Sequence, residues 1–206
     1  MAGFWSAVAA SFAAMDTAEL AAVILAIVYL LLVVRENIWC WGAAFVSTSI
    51  YLVLFFDVRL YMESALQVFY LAMAVYGWWQ WRSGGSGGGE LKISTWPVTV
   101  HAGIIAAIAV LSMTSGWLLD TRTAAAFPYL DSFTTWSAVV TTYMVTRKIL
   151  ENWIYWFVID GVSIYLYSSR GMYLTALLFV LYVVLVVFGY RRWRRHYRAA
   201  RVAVAA

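Results

Sequence analysis

Seven apolar stretches, each close to the length of a bilayer crossing and each ended by charge, constrain this chain more than any other feature. They cover roughly residues 17–34, 38–56, 60–81, 96–118, 124–146, 152–168 and 172–190. About 20 predominantly apolar residues make a helix long enough for the hydrocarbon core of a membrane. Backbone N–H and C=O groups find no partner in lipid, so such stretches must be helical. The first runs without a charge from Leu20 to Val34. Composition agrees, with 65% hydrophobic and 12% charged residues against about 45–50% and 25% in soluble domains. The expected fold is an all-α polytopic membrane protein. A disulfide scaffold is excluded, because Cys40 is the single cysteine.

The fifth and sixth stretches are the least apolar. Thr134, Thr135, Ser137, Thr141, Thr142 and Thr146 dilute the fifth, and Asp160 sits near the middle of the sixth. Hydroxyls can be satisfied by a helix's own carbonyls, so the Thr-rich stretch is expected to face protein rather than lipid. The apolar segment Phe4–Ala14 is not expected to be a signal peptide, since a signal carries a positive n-region and no Lys or Arg precedes Arg35. Residues 1–16 read instead as an interfacial or partly inserted lead-in. Ser83-Gly84-Gly85-Ser86-Gly87-Gly88-Gly89-Glu90 reads as a flexible linker. With the N-terminus outside, the inner loops and tail hold eleven of the Lys and Arg residues and the outer loops three (Arg59, Arg122 and Arg170). That asymmetry orients the chain by the positive-inside rule. It also reads the basic tail as an anchor near anionic lipid rather than a nucleic-acid site.

The halves resemble one another. Asn37 and Trp41, four apart, answer Asn152 and Trp156; Ser49-Ile50-Tyr51 answers Ser163-Ile164-Tyr165. Tyr61, Tyr70, Gly77 and Trp81 keep the same spacing as Tyr173, Tyr182, Gly189 and Trp193. The offset is 115 residues at the start and 112 at the end. The expected organisation is a lead-in (1–16), a first three-helix repeat (17–82), a Gly/Ser-rich cytoplasmic linker (83–95), a linking helix (96–118), a second three-helix repeat (124–194) and a basic cytoplasmic tail (195–206). Three spans plus one give the two copies the same orientation. Parallel repeats of this kind occur in transporters, with the substrate site near the midplane between them.

Helical spacing aligns Asn37, Trp41, Thr48 and Tyr51 on one face of the second stretch. It aligns Glu63, Gln67, Tyr70, Ala74, Trp78 and Trp81 on the third. On the sixth it aligns Asn152, Trp156 and Ser163, with Asp160 to the side. A lipid-facing stripe would be Leu, Ile and Val; these are polar and aromatic. Asn37 and Asn152 could equally cap or cross-link helices, and Trp and Tyr near span ends often belong to the interfacial belt. An intramembrane carboxylate such as Asp160 usually faces a cavity and serves function.

The chemistry that is missing narrows the classes. His101 and His196 are the only histidines and neither lies near Cys40 in sequence, so no soft-ligand metal cluster is expected. No glycine loop cradles phosphate, and Lys92 and Lys148 fall in loops, which argues against a retinal protein. No cofactor is expected. A membrane enzyme would need a nucleophile–base pair, for which only Glu63 and Asp160 offer acids. A non-transporting subunit would not need inward stripes of Trp, Gln and Asn.

Leu66-Gln67-Val68-Phe69-Tyr70, Tyr76-Gly77-Trp78-Trp79-Gln80-Trp81 and Thr146-Arg147-Lys148-Ile149-Leu150-Glu151-Asn152-Trp153 resemble the PnuC family of bacterial B-vitamin transporters, over about residues 18–194. The resemblance implies a 3+1+3 arrangement related to the SWEET sugar transporters, residence in the bacterial inner membrane, a homotrimer, and facilitated diffusion without ion or ATP coupling. The implied substrate is nicotinamide riboside, trapped by a cytosolic kinase for NAD synthesis; relatives carry thiamine or riboflavin. The family's aromatic-glutamine motif falls on Gln67, Tyr70, Trp78 and Trp81, and its Asn-aromatic motif on Asn152, Trp153 and Trp156. Asp160 stands where some members carry Asn. The expected substrate-binding set is Asn37, Trp41, Gln67, Tyr70, Trp78, Asn152, Trp156 and Asp160. Thr48, Tyr51, Glu63, Trp81, Trp153 and Ser163 are expected to line or gate the path.

Overall fold

The computed structural model describes residues 2–57, 59, 61–123 and 126–205. Among them are eight α-helices: α1 (Ala2–Ala13), α2 (Thr17–Val34), α3 (Trp39–Asp57), α4 (Tyr61–Ser83), α5 (Val98–Arg122), α6 (Pro128–Thr146), α7 (Asn152–Ser169) and α8 (Tyr173–Ala205). Leu60, Ala124 and Ala125, which open the expected third and fifth stretches, lie outside the described residues, as does the side chain of Glu63. Helices α2, α3, α5 and α8 are long and apolar enough to cross a membrane. Helices α4, α6 and α7 have comparable lengths of 23, 19 and 18 residues but carry more polar side chains.

The helix ends follow local chemistry. Asp16 caps α2 by accepting the Ala18 N–H at 3.0 Å; that bond, with the Thr17 hydroxyl, holds its carboxyl below the usual range. Pro97 precedes α5 and Pro128 opens α6, where a missing N–H does no harm. Helices α2, α6 and α7 end in one motif. The left-handed residues Glu36 (φ 56°), Lys148 (φ 50°) and Gly171 (φ 73°) each lie two places past the helix. Their neighbours Asn37, Ile149 and Met172 donate N–H groups back to Leu32, Met144 and Tyr167.

Helices α2, α3 and α4 pack in series, as do α6, α7 and α8; α2 then meets α8, α4 meets α6, α5 lies on α6, and α1 lies on α8. The first helix of each triplet thus meets the third helix of the other.

The structure corrects the repeat register. Val33, Glu36, Trp41, Arg59, Gly77 and Trp81 correspond to Val145, Lys148, Trp153, Gly171, Gly189 and Trp193, at a constant offset of 112. The counterpart of Trp41 is therefore Trp153, not Trp156, and Asn37 has no Asn partner. Packing carries this register: the ring of Trp41 covers Gly77 and that of Trp153 covers Gly189.

Two further expectations change. The linker is not a free tether. After a short turn at Ser86–Gly88, residues 90–97 lie as a strap: Leu91 N–H bonds Trp81 C=O at 3.2 Å, and Ser94 bridges the 148–150 corner through bonds of 3.1 and 2.8 Å. Leu91 and Ile93 pack on the core, and that apolar pair explains why the segment docks. The basic tail is not separate either; α8 continues through Ala205. Its 33 residues reach about 50 Å at 1.5 Å each, well beyond a hydrocarbon core of about 30 Å.

The Thr-rich helix behaves as expected. Thr134, Thr141 and Thr146 donate to the carbonyls of Leu130, Ser137 and Tyr143 at 3.0, 2.6 and 2.7 Å. Ser137, Thr141, Thr142 and Thr146 are buried in the bundle.

Candidate functional site

The polar and aromatic side chains that the sequence groups into stripes fall at two depths. One level lies where the linker, the two αL corners and the N-termini of α3 and α7 meet, here called the linker end. Four tryptophans form a chain there: Trp41 on Trp81 (centroids 5.5 Å), Trp81 on Trp193 (6.1 Å) and Trp193 on Trp153 (5.3 Å), with both outer pairs edge-to-face. Two of them tie the repeats together. Trp81 Nε1–H donates to Val145 C=O at 3.1 Å, and Trp193 Nε1–H donates to Val33 C=O at 3.0 Å. These two bonds are pseudo-symmetry mates.

Several expected ligand-binding residues are therefore spent on packing. Trp41 and Trp153 are 2% and 1% exposed, and with their rings on a glycine and another indole they have no face to offer a ligand. Asn37 is exposed and caps α3, accepting the Trp39 N–H at 2.9 Å. Asn152 is wholly buried and donates to Ile149 C=O at 2.6 Å, which leaves its Oδ1 without a protein partner. The indole N–H groups of Trp41 and Trp153 are also buried without one. Trp78 is half-buried and meets Trp39 edge-to-face at 5.2 Å. Trp156 is half-buried against the tryptophan core.

The second level lies about 12 Å deeper, eight residues into α7. Asp160 is 3% and Ser163 is 4% exposed there. Tyr182 of α8 lies within electrostatic range of both Asp160 and Tyr51 of α3. Tyr51 stacks on Phe55 at 5.6 Å and feels Glu19 of α2. Thr48, at the position equivalent to Asp160, is half-buried. Gln67 and Tyr70 of α4 are also half-buried, as is Tyr29 of α2, and Tyr70 lies within electrostatic range of Tyr29. Tyr29 and Tyr182 are contributors that stripe reasoning passed over. Tyr182 was legible as the repeat mate of Tyr70; Tyr29 sits in an unbroken apolar run and gave no signal.

Sequence reasoning also missed the charges at the linker end. Lys148 is 7% exposed, its Nζ 3.7 Å from Glu36 Oε2 and 4.5 Å above the Trp81 ring. Burial pushes its ammonium below the ordinary value, with Glu36 opposing the shift. Glu36 also pairs with His196 Nδ1. Nearby, His101 Nδ1 meets the Tyr155 hydroxyl at 3.0 Å, and Arg147 donates to the Tyr76 hydroxyl at 3.5 Å.

The profile described as nicotinamide mononucleotide transporter matches residues 16–195. The chain belongs to this family. It is accordingly a membrane protein of a transporter family rather than an enzyme. Among its relatives is the nicotinamide riboside transporter PnuC of Escherichia coli (strain K12), 26% identical over 183 residues that cover 77% of each chain. Another is the riboflavin/roseoflavin transporter RibM of Streptomyces davaonensis, 28% identical over 175 residues, covering 82% of this chain and 81% of the relative. The crystal structure of the vitamin B3 transporter PnuC superposes with a TM-score of 0.69 at 22% identity, covering 94% of this chain and 89% of that one. The shared fold extends over nearly the whole nicotinamide mononucleotide transporter-family chain.

Proposed function

We propose that this protein carries nicotinamide riboside across the bacterial inner membrane by facilitated diffusion, for NAD synthesis. The observation that carries this reading is the mid-depth cluster. A buried carboxylate, Asp160, stands in the middle of α7 within electrostatic range of Tyr182 of α8, which is in turn within range of Tyr51 of α3. The riboside is a flat pyridinium with a carboxamide and sugar hydroxyls. An anion offsets its ring charge, and Gln67 and the tyrosine hydroxyls supply donors and acceptors. Trp78 and Trp156, both half-buried, can offer ring faces to a flat cation. Thr48 and Ser163 line the same level.

The charge pattern also separates the riboside from its phosphate ester. No Lys or Arg lies within α2, α3, α6 or α7. A phosphate drawn into that interior would stand desolvated and unpaired beside Asp160. Riboflavin, for which one relative is named, is uncharged and gives Asp160 nothing to pair with; thiamine is cationic and remains the second reading. Binding of purified protein to nicotinamide riboside, thiamine and riboflavin side by side tests the assignment. Tightest binding of riboflavin would overturn it.

In this reading α2–α4 and α6–α8 are two parallel three-helix repeats, α5 links them, and seven helices cross the membrane. The N-terminus lies outside and the linker and Arg-rich end of α8 inside, as eleven Lys and Arg against three require. Reporter fusions after residue 90 and at the C-terminus are expected to read as cytoplasmic; opposite sides would refute the seven-span count. The repeats rock around the fixed site, three chains associate as a homotrimer, and a cytosolic kinase traps the product without stable contact.

The driving force is the substrate gradient alone, because among the described residues Asp160 belongs to no chain of acids crossing the bilayer. Vesicles lacking an internal kinase are expected to equilibrate nicotinamide riboside without concentrating it. Concentration driven by an imposed proton or sodium gradient would overturn this and implicate Asp160 in coupling.

A further inference from the structure

The two helix corners at the linker end hold residues that backbone preference alone would not choose. A left-handed position two places past a helix ordinarily belongs to glycine, and Gly171 fills it at the opposite end of α7. Glu36 and Lys148 occupy the matching positions after α2 and α6 with φ of 56° and 50°, and are each other's pseudo-symmetry mates. They carry opposite charges and meet across the repeat boundary at 3.7 Å. Lys148 also caps the Trp81 ring, and Glu36 takes His196 as a second partner. Around them lie the two indole bonds that join the repeats and the strap that packs Leu91 and Ile93 on the same tryptophans.

Net stability does not explain this choice. A partly buried ion pair contributes little beyond what well-packed apolar residues would supply, and glycine would remove the backbone strain at both corners. A contact between the repeats that can part serves another purpose. Charged side chains exchange each other for water at nearly equal free energy, so the two states stay close to balance. An apolar plug in their place would hold the closed state far below the open one.

We propose that Glu36 and Lys148 form the latch of an inner gate, holding the linker end shut while substrate sits in the bundle and parting to release it. The proposal rests on the transport reading above. In the closed state Glu36 ties the α2–α3 corner to the α6–α7 corner and to α8. Opening breaks the Glu36–Lys148 and Glu36–His196 contacts and the two Trp-to-carbonyl bonds, while the strap moves with the corner to which Ser94 is bonded.

The native chain carries its own reporter. Cys40 is the single cysteine, is wholly buried in the tryptophan core, and lies within electrostatic range of Lys148. Full-length protein in vesicles of known orientation would be treated with a membrane-impermeant maleimide on the linker side. Glu36→Gln and Lys148→Met are each expected to speed Cys40 labelling about tenfold, and the double variant no further, as for partners in one contact. Glu36→Gly should also speed it about tenfold without lowering the melting temperature, because it relieves the corner. Asp131→Asn, which breaks the ion pair to Arg170 within the second repeat, should leave labelling unchanged. Unchanged labelling in Glu36→Gln and Glu36→Gly would overturn the latch. So would effects that multiply in the double variant, or an equal rise in Asp131→Asn. Nicotinamide riboside uptake is read separately in wild type: its absence would fail the transport reading, while the labelling ratios would still decide the latch.

Discussion

Replacing Gly77 or Gly189 with alanine is expected to lower the melting temperature in detergent, and replacing either with leucine to abolish the folded protein. A Cβ on Gly77 would lie 2.4 Å from the Trp41 ring, and one on Gly189 would lie 2.4 Å from the Trp153 ring. Neither ring has room to retreat, since Trp41 and Trp153 are pinned by Trp81 and Trp193. Overpacking of this kind costs about 1–3 kcal/mol for one added carbon, more than the roughly 1 kcal/mol that alanine gains over glycine in a helix. Gly103 and Gly161 have open space where a Cβ would sit, so their alanine variants should keep or raise the melting temperature. The four variants measured together make a sharp comparison. If Gly77→Ala and Gly189→Ala were as stable as wild type, the tryptophan–glycine contacts would not hold the repeats in register. Matched losses at the two sites would confirm that they are equivalent.

Asp160→Asn is expected to weaken binding of nicotinamide riboside roughly five- to thirty-fold, on the order of 1–2 kcal/mol for a partly desolvated charge contact. The substitution keeps the shape of the side chain and removes its charge. A neutral analogue with a reduced, uncharged ring should lose much less. Titrating both ligands against wild type and variant gives a two-by-two comparison. Equal losses for the charged and neutral ligands would mean that Asp160 acts through packing between α7 and α8, and the proposed contact with the ring would fall.

The sequence by itself determined the helices and their order. Hydropathy is local, and apolar runs bounded by charge place most of the membrane-length helices to within about four residues, although α8 runs on through the basic tail to Ala205. It also marked a repeat, since Gly77 with Trp81 and Gly189 with Trp193 keep their spacing. The exact register was not legible, because in a chain with 12 Trp and 14 Tyr several offsets produce aromatic matches. Only contact between helices separates the true pair, Trp41 with Trp153, from the accidental one. The same limit governs the candidate site. A helical stripe gives direction around an axis but not depth or neighbours, so Asn37, Trp41 and Asp160 looked alike as inward polar or aromatic residues. Tertiary structure assigned them differently: Asn37 to a cap, Trp41 to a close-packed core, and Asp160 to a buried position on α7 in range of Tyr182 of α8. It also paired Glu36 with Lys148, which stand 112 residues apart in sequence and meet only because the second helix triplet folds back against the first.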